Sequence, residues 1–554
     1  MAPTVTTLIP RAAKPPAPAP PMQRSMSHTQ EFKLQRSLRL RHVPVEAKRR
    51  DRAAIGVGIA ATVLSIAACV HFYLAHQLLG YQDAYSHLEI SRRILTGRTT
   101  GLAQLGAIWL PLPHLLQSLF AWNGTLYSTG LAGAIVSMAA YVACAVLIYR
   151  IIRVFSPRQA WPAIAAAAVF MTSPNMLYQQ STAMDELPFF AFALMATDGL
   201  VRWGQTKRPT YLLRAAVATM LAMLCRYEAW FLAGMFTITV LIMARRTGHS
   251  WRDIRGLTAV FAIFGVLAAS CGWLLYNWAV TGVPINFLVG SNSSVDQMGK
   301  RHTDVEIGSW SRTLHAYGGV LVADIGIVVL AIAALGLLVF LIFERFSARS
   351  LPIIALATII PFFIITIERG QEPIGVPPVN PYLLNLRFGL VALLPAALFI
   401  GYLIARLPRR TAVAASVLAI LGLAAISANT FREHNVVTTQ EAAEDFNAQA
   451  VQAQAGEFLQ THTTGPIMLN LVGNERVAFP VLDRVIYEGT KMGQTNIWKQ
   501  ALRDPRSVDA HIVLMRKSDQ HGNDDVYIAL HDTPQMGAYH QIFANADYIV
   551  YQLG

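Results

Sequence analysis

The sequence predicts an α-helical membrane protein that crosses the bilayer many times and ends in a small α/β domain. Of its 554 residues, 54% are hydrophobic and 14% are charged, whereas soluble domains carry about 25% charged residues. The charge deficit lies between residues 53 and 428, in apolar runs near the roughly 20 residues that cross a bilayer. After residue 430 the chain becomes polar again. This composition excludes a soluble enzyme.

The first 52 residues form a basic tail. They contain 11 Lys or Arg residues, a proline-rich run and three acids, Glu31, Glu46 and Asp51. Such a segment cannot bury a core, so we expect a disordered cytosolic tail. Its last cations lie directly before the first apolar run, 53–79, and they predict an uncleaved anchor that enters the membrane from the cytoplasm.

About eleven apolar segments are predicted to span the membrane. They are 53–79, 129–149, 160–175, 187–203, 211–225, 229–244, 257–280, 317–343, 351–367, 388–405 and 411–428. The tail and alternate connections hold 27 of the 45 cations, and the opposite connections hold nine. Because cations favour the cytoplasmic side, we expect the membrane module, 53–429, to leave residues 430–554 outside. The net charge of +13 therefore fits membrane orientation better than a nucleic-acid partner.

Residues 430–554 are predicted to form the small extracytoplasmic α/β domain. Residues 438–460 have helical spacing. Short β-like runs follow at 467–471, 485–487, 511–515, 525–529 and 548–551.

All four cysteines of the chain lie in apolar runs, so no disulfide framework or zinc site is indicated. The chain contains no phosphate-binding loop and no dinucleotide fingerprint.

The first predicted outer loop carries a carboxylate immediately beyond the first span. Asp83 is followed by Tyr85, His87 and Glu89. At this depth a carboxylate can act as a base or bind a cation, or it can simply cap an interfacial helix. Further along the loop, the apolar segment 101–122 is broken by prolines and contains His114, so we expect it to lie along the outer interface.

Two more polar pairs interrupt the apolar segments. Asp185 and Glu186 begin a predicted helix, where they either complement the helix dipole or face Asp83 across an outer cavity. Arg226 and Glu228 separate two short spans. Charges there are costly unless they pair or line a cavity, so these two either neutralise each other or belong to a site.

Cations on the same predicted side are candidates for binding an anion. Lys300 and Arg301 lie in the long outer connection 281–316, and Arg387 begins a late span. The loop cations can be merely solvated, and Arg387 can snorkel to the interface. Alternatively, its guanidinium can pair with a phosphate at lipid headgroup depth.

These residues, in this order, resemble the GT-C superfamily of integral-membrane glycosyltransferases, which use polyprenyl-phosphate-linked sugars. The resemblance covers about residues 53–430. It rests on the acidic motif at 80–87 (GYQDAYSH), the interfacial segment 101–122, the acids Asp185 and Glu186, and late-span signatures at 275–284 and 386–395.

The resemblance implies roles for the candidates. Asp83 would be the catalytic residue, and the donor phosphate would be bound by Arg387, with Arg226, Lys300 and Arg301 as further candidates. Residues expected to bind substrate or support the site are Tyr85, His87, His114, Asp185, Glu186 and Glu228. Many members carry two acids in the first motif, whereas Asp83 is followed by Ala84 and Tyr85. A divalent cation, Mg or Mn, would therefore need ligands such as Asp83, Glu186, and His87 or Glu89.

The sequence thus predicts an enzyme of the bacterial cytoplasmic (inner) membrane that moves a sugar from a polyprenyl-phosphate donor to a lipid, glycan or protein acceptor on the outer face. Asp83 would act as general base, and inversion at the anomeric carbon is what the resemblance implies. The main alternative is a transporter or flippase for a lipid-linked or small polar substrate. A lipid phosphotransferase and a membrane scaffold are further alternatives.

Overall fold

A computed structural model describes residues 51–246, 250–290, 293, 296, 304–517 and 524–554. The predicted tail up to residue 50, together with Lys300 and Arg301, lies outside these residues. Residues 53–554 form one compact unit.

The described residues before residue 433 are mostly helical. Its helices are Arg52–Leu74, Gln82–Arg93, Pro111–Ala121, Gly124–Ser128, Leu131–Phe155, Trp161–Met171, Pro174–Gln179, Glu186–Thr206, Pro209–Met223, Glu228–Arg246, Trp251–Ala262, Ala268–Thr281, Asn286–Val289, Trp310–Ile325, Ile327–Glu344, Leu351–Ala357, Ile359–Glu368, Leu393–Ala405 and Arg409–Arg432. Short 3₁₀ turns occur at Leu102–Leu105 and Leu386–Ala392, and a π-helical turn at Ile263–Leu267 joins two of the helices.

Among the described residues, eight helices are long and apolar enough to cross a membrane. All eleven apolar segments of the sequence are helical. The three outside the eight are Trp161–Met171, Glu186–Thr206 and Pro209–Met223, so a count of eleven spans stays a prediction. The segment 317–343 is not one continuous helix, because Gly326 adopts φ 86° and divides it into Trp310–Ile325 and Ile327–Glu344.

Small side chains let the central helices pack closely. A Cβ atom at Gly133 would collide with Ala183, and one at Gly401 would collide with Ala166. Close approach at Gly and Ala is the usual way in which helices associate inside a membrane, since burial from water supplies no driving force there. Large apolar side chains such as Leu338 and Leu418 are exposed on the outside of the bundle, where they can face lipid.

The C-terminal part packs helices against a five-stranded sheet. Its helices are Val437–Ala448, Ala450–His462, Glu475–Ala478, Thr495–Ala501 and Asp525–Leu530, with 3₁₀ turns at Phe479–Arg484, Pro505–Val508 and Pro534–Ala538. Its strands are β1 (Ile467–Met468), β2 (Val485–Ile486), β3 (Ile512–Arg516), β4 (Tyr539–Ala544) and β5 (Tyr548–Leu553). The sheet order is β2-β1-β3-β5-β4. The strands β1, β2 and β3 are parallel, and β5 is antiparallel to its neighbours β3 and β4.

This architecture confirms an α-helical membrane protein with a small C-terminal sheet domain, with two corrections to the predicted strands. The segment 525–529, predicted as a strand, is a helix, because the Asp524 side chain accepts a hydrogen bond from the Val526 amide and caps its start. The strand β4 was not predicted. The boundary at residue 430 stays a prediction.

Candidate active site

Four segments that are far apart in the sequence meet at one end of the bundle. We call their charged side chains the ion cluster, and its members are Asp83, Asp185, Glu186, Arg226, Glu228 and Arg387. All six were predicted as candidates from the sequence. Helix termini supply them: Asp83, Glu186 and Glu228 lie in the first turns of helices, and Asp185 immediately precedes one.

Arg387 connects the first and second predicted outer loops. Its Nη2 lies 2.5 Å from Oδ2 of Asp83, and its Nε donates to Oε1 of Glu186 at 3.1 Å. The Arg387 side chain is 9% exposed, whereas that of Asp83 is 37% exposed. The guanidinium also lies over the rings of Tyr81 and Phe388, at 5.3 and 5.5 Å from their centroids. The arginine is thus a buried anchor, and the carboxylate of Asp83 is its accessible partner.

Arg226 is enclosed by acids. Its Nη1 lies 2.5 Å from Oδ1 of Asp185 and 2.9 Å from Oε1 of Glu186, and its Nε and Nη2 donate to Oε1 of Glu228 at 2.8 and 2.6 Å. Burial raises the pKa of Asp185, against the opposing effect of Arg226. Asp185 precedes the first residue of the helix Glu186–Thr206, where its charge can complement the helix dipole, but its side chain makes no capping hydrogen bond. Arg226 and Glu228 do neutralise each other, but within a larger network.

Glu186 joins the two arginines. The same oxygen, Oε1, contacts Arg226 at 2.9 Å and Arg387 at 3.1 Å. Its other oxygen accepts a hydrogen bond from Nε2 of Gln179 at 2.7 Å. A carboxylate saturated in this way is a rigid support, so it is better suited to positioning the arginines than to accepting a proton.

The turn that presents Arg387 depends on two unusual backbone positions. Asn385 adopts φ 53°, in the left-handed region, immediately before the 3₁₀ turn Leu386–Ala392. A Cβ atom at Gly389 would collide with Asp324 and Val320. Because glycine has no side chain, this turn can pack directly against the neighbouring helix.

The histidines lie beside the ion cluster and bond to each other. Nδ1 of His87 is 2.9 Å from Nε2 of His114, whose Nδ1 is 3.0 Å from the carbonyl oxygen of Leu110. The His87 ring also packs on Trp109, with centroids 4.5 Å apart. Burial lowers the pKa of His114 well below its ordinary value. This pair therefore fixes segment 101–122 against the helix Gln82–Arg93.

Two other side chains of that helix face the C-terminal part of the chain. The Tyr85 ring packs edge-on against Phe479 at 4.8 Å. Glu89 is buried, and its Oε1 has no hydrogen-bond partner among the described residues. Burial and Glu475 raise the pKa of Glu89 well above its ordinary value. Neither residue joins the ion cluster.

The sequence interpretation missed a contribution from the C-terminal part. Glu441 accepts a hydrogen bond from the Tyr81 hydroxyl at 3.1 Å and bonds to the backbone of Asn385 and Leu386, next to Arg387. Asp445, one turn later, accepts a hydrogen bond from the backbone amide of Gln82 at 2.7 Å. The only available signal was acids at helical spacing just after the last span.

Three of the four residues suggested for a divalent cation are engaged in other contacts, and the fourth, Glu89, lies apart from the ion cluster. Asp83 and Glu186 both contact Arg387, and His87 is bonded to His114. In the described ranges, no group of three or more His, Cys, Asp or Glu side chains is arranged to hold a metal ion. A metal requirement stays a prediction, and no chemical step is derived through one.

The helices and the C-terminal sheet have the fold of the GT-C membrane glycosyltransferases, and the chain is a multi-pass membrane protein. The structure of ArnT from Cupriavidus metallidurans bound to undecaprenyl phosphate matches 88% of this chain and 97% of its own, with a TM-score of 0.52 and 13% identity. Its apo state matches with a TM-score of 0.51 and 14% identity over the same shares.

Comparison of the sequence with models of protein families, and further searches, add three findings. Residues 111–273 match the family model of dolichyl-phosphate-mannose-protein mannosyltransferases. The oligosaccharyltransferase AglB from Archaeoglobus fulgidus, in complex with an inhibitory peptide and a dolichol-phosphate, is also similar, with a TM-score of 0.48, 12% identity, and coverage of 90% of this chain and 74% of its own. A sequence search of curated proteins gives no match. The predicted resemblance to the GT-C superfamily is confirmed.

Proposed function

We propose that this protein transfers a sugar from a polyprenyl-phosphate donor to a lipid, glycan or protein acceptor at the extracytoplasmic face of the cytoplasmic membrane. The proposal rests on one observation: the accessible carboxylate of Asp83 is paired with the buried guanidinium of Arg387 at the end of an apolar bundle. The match of residues 111–273 to mannosyltransferases and the fold shared with ArnT, solved with undecaprenyl phosphate, support it.

In this mechanism Asp83 acts as the general base. Its carboxylate takes the proton of the acceptor hydroxyl while the oxygen forms a bond to the anomeric carbon. The bond between that carbon and the phosphate oxygen breaks, and its electron pair leaves with the lipid phosphate. A single displacement of this kind inverts the anomeric configuration.

Arg387 stabilises the departing phosphate. Guanidinium groups bind phosphate through paired charge-assisted hydrogen bonds, and a preorganised donor stabilises charge as it develops. In the structure, however, the Nη2 group of Arg387 is occupied by Asp83. An arriving phosphate competes for this group and frees the carboxylate, so donor binding and activation of the base are coupled.

The three other candidate cations, Arg226, Lys300 and Arg301, have different roles in this proposal. Arg226 is surrounded by Asp185, Glu186 and Glu228, so its charge is already compensated and it supports Glu186 rather than the phosphate. Lys300 and Arg301 lie outside the described residues and stay predicted candidates for binding the donor phosphate.

The proposed orientation places the N-terminal tail in the cytosol and the C-terminal domain outside. Every described member of the ion cluster comes from a connection that the cation count assigned to the outer side. Glu441 of the C-terminal part lies beside the same cluster. Their meeting at one end of the bundle supports this threading.

The test compares Asp83→Asn with Glu433→Gln, which changes an exposed acid outside the cluster. Full-length protein in detergent is given a panel of polyprenyl-phosphate hexoses and pentoses with membrane acceptors, and release of polyprenyl phosphate is measured. Removing a general base lowers rates about 10²- to 10⁴-fold, so we expect a loss of this size for Asp83→Asn and none for Glu433→Gln.

A second readout separates chemistry from binding. Undecaprenyl phosphate should raise the Tm of Asp83→Asn at least as much as that of the wild-type protein, because a competitor for Arg387 has been removed. Full transfer by Asp83→Asn would overturn the proposal. Movement of a lipid-linked substrate across vesicles without any bond cleavage would favour the transporter instead.

A further inference from the structure

A second charged cluster lies at the other end of the helix Glu186–Thr206. Asp198 is fully buried, and its Oδ1 accepts a hydrogen bond from Nε of Arg202 at 2.8 Å. Its Oδ2 lies 3.4 Å from Nη2 of Arg150 and 3.4 Å from Nη1 of Arg214. We call these three arginines, gathered on Asp198, the arginine cluster.

The arginine cluster carries excess positive charge. Three guanidinium groups share one carboxylate, which leaves a net charge of +2. The side chains of Arg150, Arg202 and Arg214 are 37%, 24% and 32% exposed. A guanidinium has five N–H donors, and Arg150 and Arg214 each direct one of them to Asp198. Donors and charge are therefore available to an outside anion.

The surrounding sequence provides no second acid. Residues 150–158 and 198–214 together contain seven Lys or Arg residues, and Asp198 is their one acid. Mutual repulsion among the three arginines of the cluster is relieved when an anion binds between them. One arginine is enough to neutralise a buried carboxylate, so the cluster contains two more arginines than Asp198 requires.

The depth of the arginine cluster identifies the anion. Arg202 follows Glu186 by 16 residues on one helix, a rise of about 24 Å at roughly 1.5 Å per residue. The hydrocarbon core of a bilayer is about 30 Å thick. If the helix Glu186–Thr206 crosses the bilayer with the ion cluster at one face, this length places the arginine cluster near the phosphate groups of the opposite leaflet.

We propose that the arginine cluster binds the phosphate of an anionic phospholipid in the leaflet opposite the ion cluster. Guanidinium and phosphate form charge-assisted, bidentate contacts, and anionic lipids attract basic segments at the membrane surface. A zwitterionic lipid carries the same phosphate but no net charge to balance the +2. This site does not depend on the proposed sugar transfer.

The test counts lipids on the full-length protein in detergent by native mass spectrometry, after titration with phosphatidylglycerol or phosphatidylcholine. We expect Arg150→Gln/Arg214→Gln to retain at least fivefold less phosphatidylglycerol than the wild-type protein. The control, Arg252→Gln/Arg255→Gln, removes the same charge from exposed positions on the helix Trp251–Ala262 and should retain the wild-type amount.

Thermal-shift measurements distinguish a lipid headgroup from free phosphate. Phosphatidylglycerol should raise the Tm of the wild-type protein, and inorganic phosphate at the same concentration should not. If the double variant does not fold, Arg214→Gln alone replaces it. Equal lipid loss in the control, equal retention of phosphatidylcholine, or an equal Tm shift with inorganic phosphate would each overturn the proposal. Unchanged retention of phosphatidylglycerol by Arg150→Gln/Arg214→Gln would also overturn it. Asp198 would then have only a structural role, holding the arginines in place.

Discussion

Nη2 of Arg387 and Oδ2 of Asp83 lie 2.5 Å apart although 304 residues separate them in the chain. The same guanidinium uses Nε to hold Glu186. One side chain therefore links the first predicted outer loop, the second predicted outer loop and a late helix. Its planar fork, and not only its charge, creates this link.

We expect Arg387→Lys to fold but to lose most of its activity. A single ammonium keeps the charge but cannot reproduce the two-directional contacts to Asp83 and Glu186. Losing one preorganised donor costs about 10²- to 10³-fold in rate, so polyprenyl-phosphate release should fall by that factor. Undecaprenyl phosphate should also raise the Tm less than in the wild-type protein. A lysine variant with wild-type turnover would show that charge alone suffices.

Arg226 provides a prediction about stability. Arg226→Met leaves Asp185, Glu186 and Glu228 buried without their shared cation. Breaking a buried ion pair by removing one partner costs about 3–5 kcal/mol, so thermal unfolding in detergent should begin at a clearly lower temperature. Arg226→Met/Glu228→Leu removes one of the orphaned charges and should recover part of the loss. If the single variant unfolds like the wild-type protein, the network contributes little to stability.

The C-terminal part provides a pH prediction. Burial raises the pKa of Glu488 to about 7, although the backbone amides of Leu471 and Val472 donate to its carboxylate. An unfolded glutamic acid titrates near 4.3, so between these values the folded state holds more protons and stability falls as pH rises. We expect the wild-type Tm to drop more between pH 5 and pH 8 than that of Glu488→Gln. Parallel pH profiles for the two proteins would contradict this assignment.

The sequence was sufficient to find the ion cluster because each member lies at the end of an apolar stretch or between two of them, where an unpaired charge is costly. The sequence could not reveal which acids pair with which arginines. Arg226 could be matched with Glu228, its near neighbour, but its contact with Asp185 depends on how two helices pack. Likewise, the pairing of Arg387 with Asp83 follows from the three-dimensional arrangement of spans.

Elsewhere, local sequence signals were weaker than the tertiary context. Residues 525–529 resemble a strand, yet Asp524 caps a helix there and also accepts a hydrogen bond from the backbone of Arg516 in β3. Glu441 was missed because acids are ordinary in a polar helix. Nothing in residues 438–460 indicates that the helix Val437–Ala448 touches the turn before Arg387.

Glu441 provides the last prediction, since it couples the C-terminal part to the ion cluster. Its carboxylate accepts from Tyr81, whose ring lies against Arg387, and from the backbone amides of Asn385 and Leu386. Glu441→Gln keeps the shape but weakens these charge-assisted bonds, each worth about 1.5–3 kcal/mol, so the turn that presents Arg387 should loosen.

We therefore expect Glu441→Gln to lower kcat/KM for polyprenyl-phosphate release about tenfold while the overall Tm changes little. The matched control is Glu457→Gln, an exposed acid on the next helix, Ala450–His462, and it should behave like the wild-type protein. Because Glu441 acts through Arg387, adding Glu441→Gln to Arg387→Lys should cause much less than a further tenfold loss. Independent, multiplicative losses in the double variant would mean that Glu441 acts by another route than positioning this arginine.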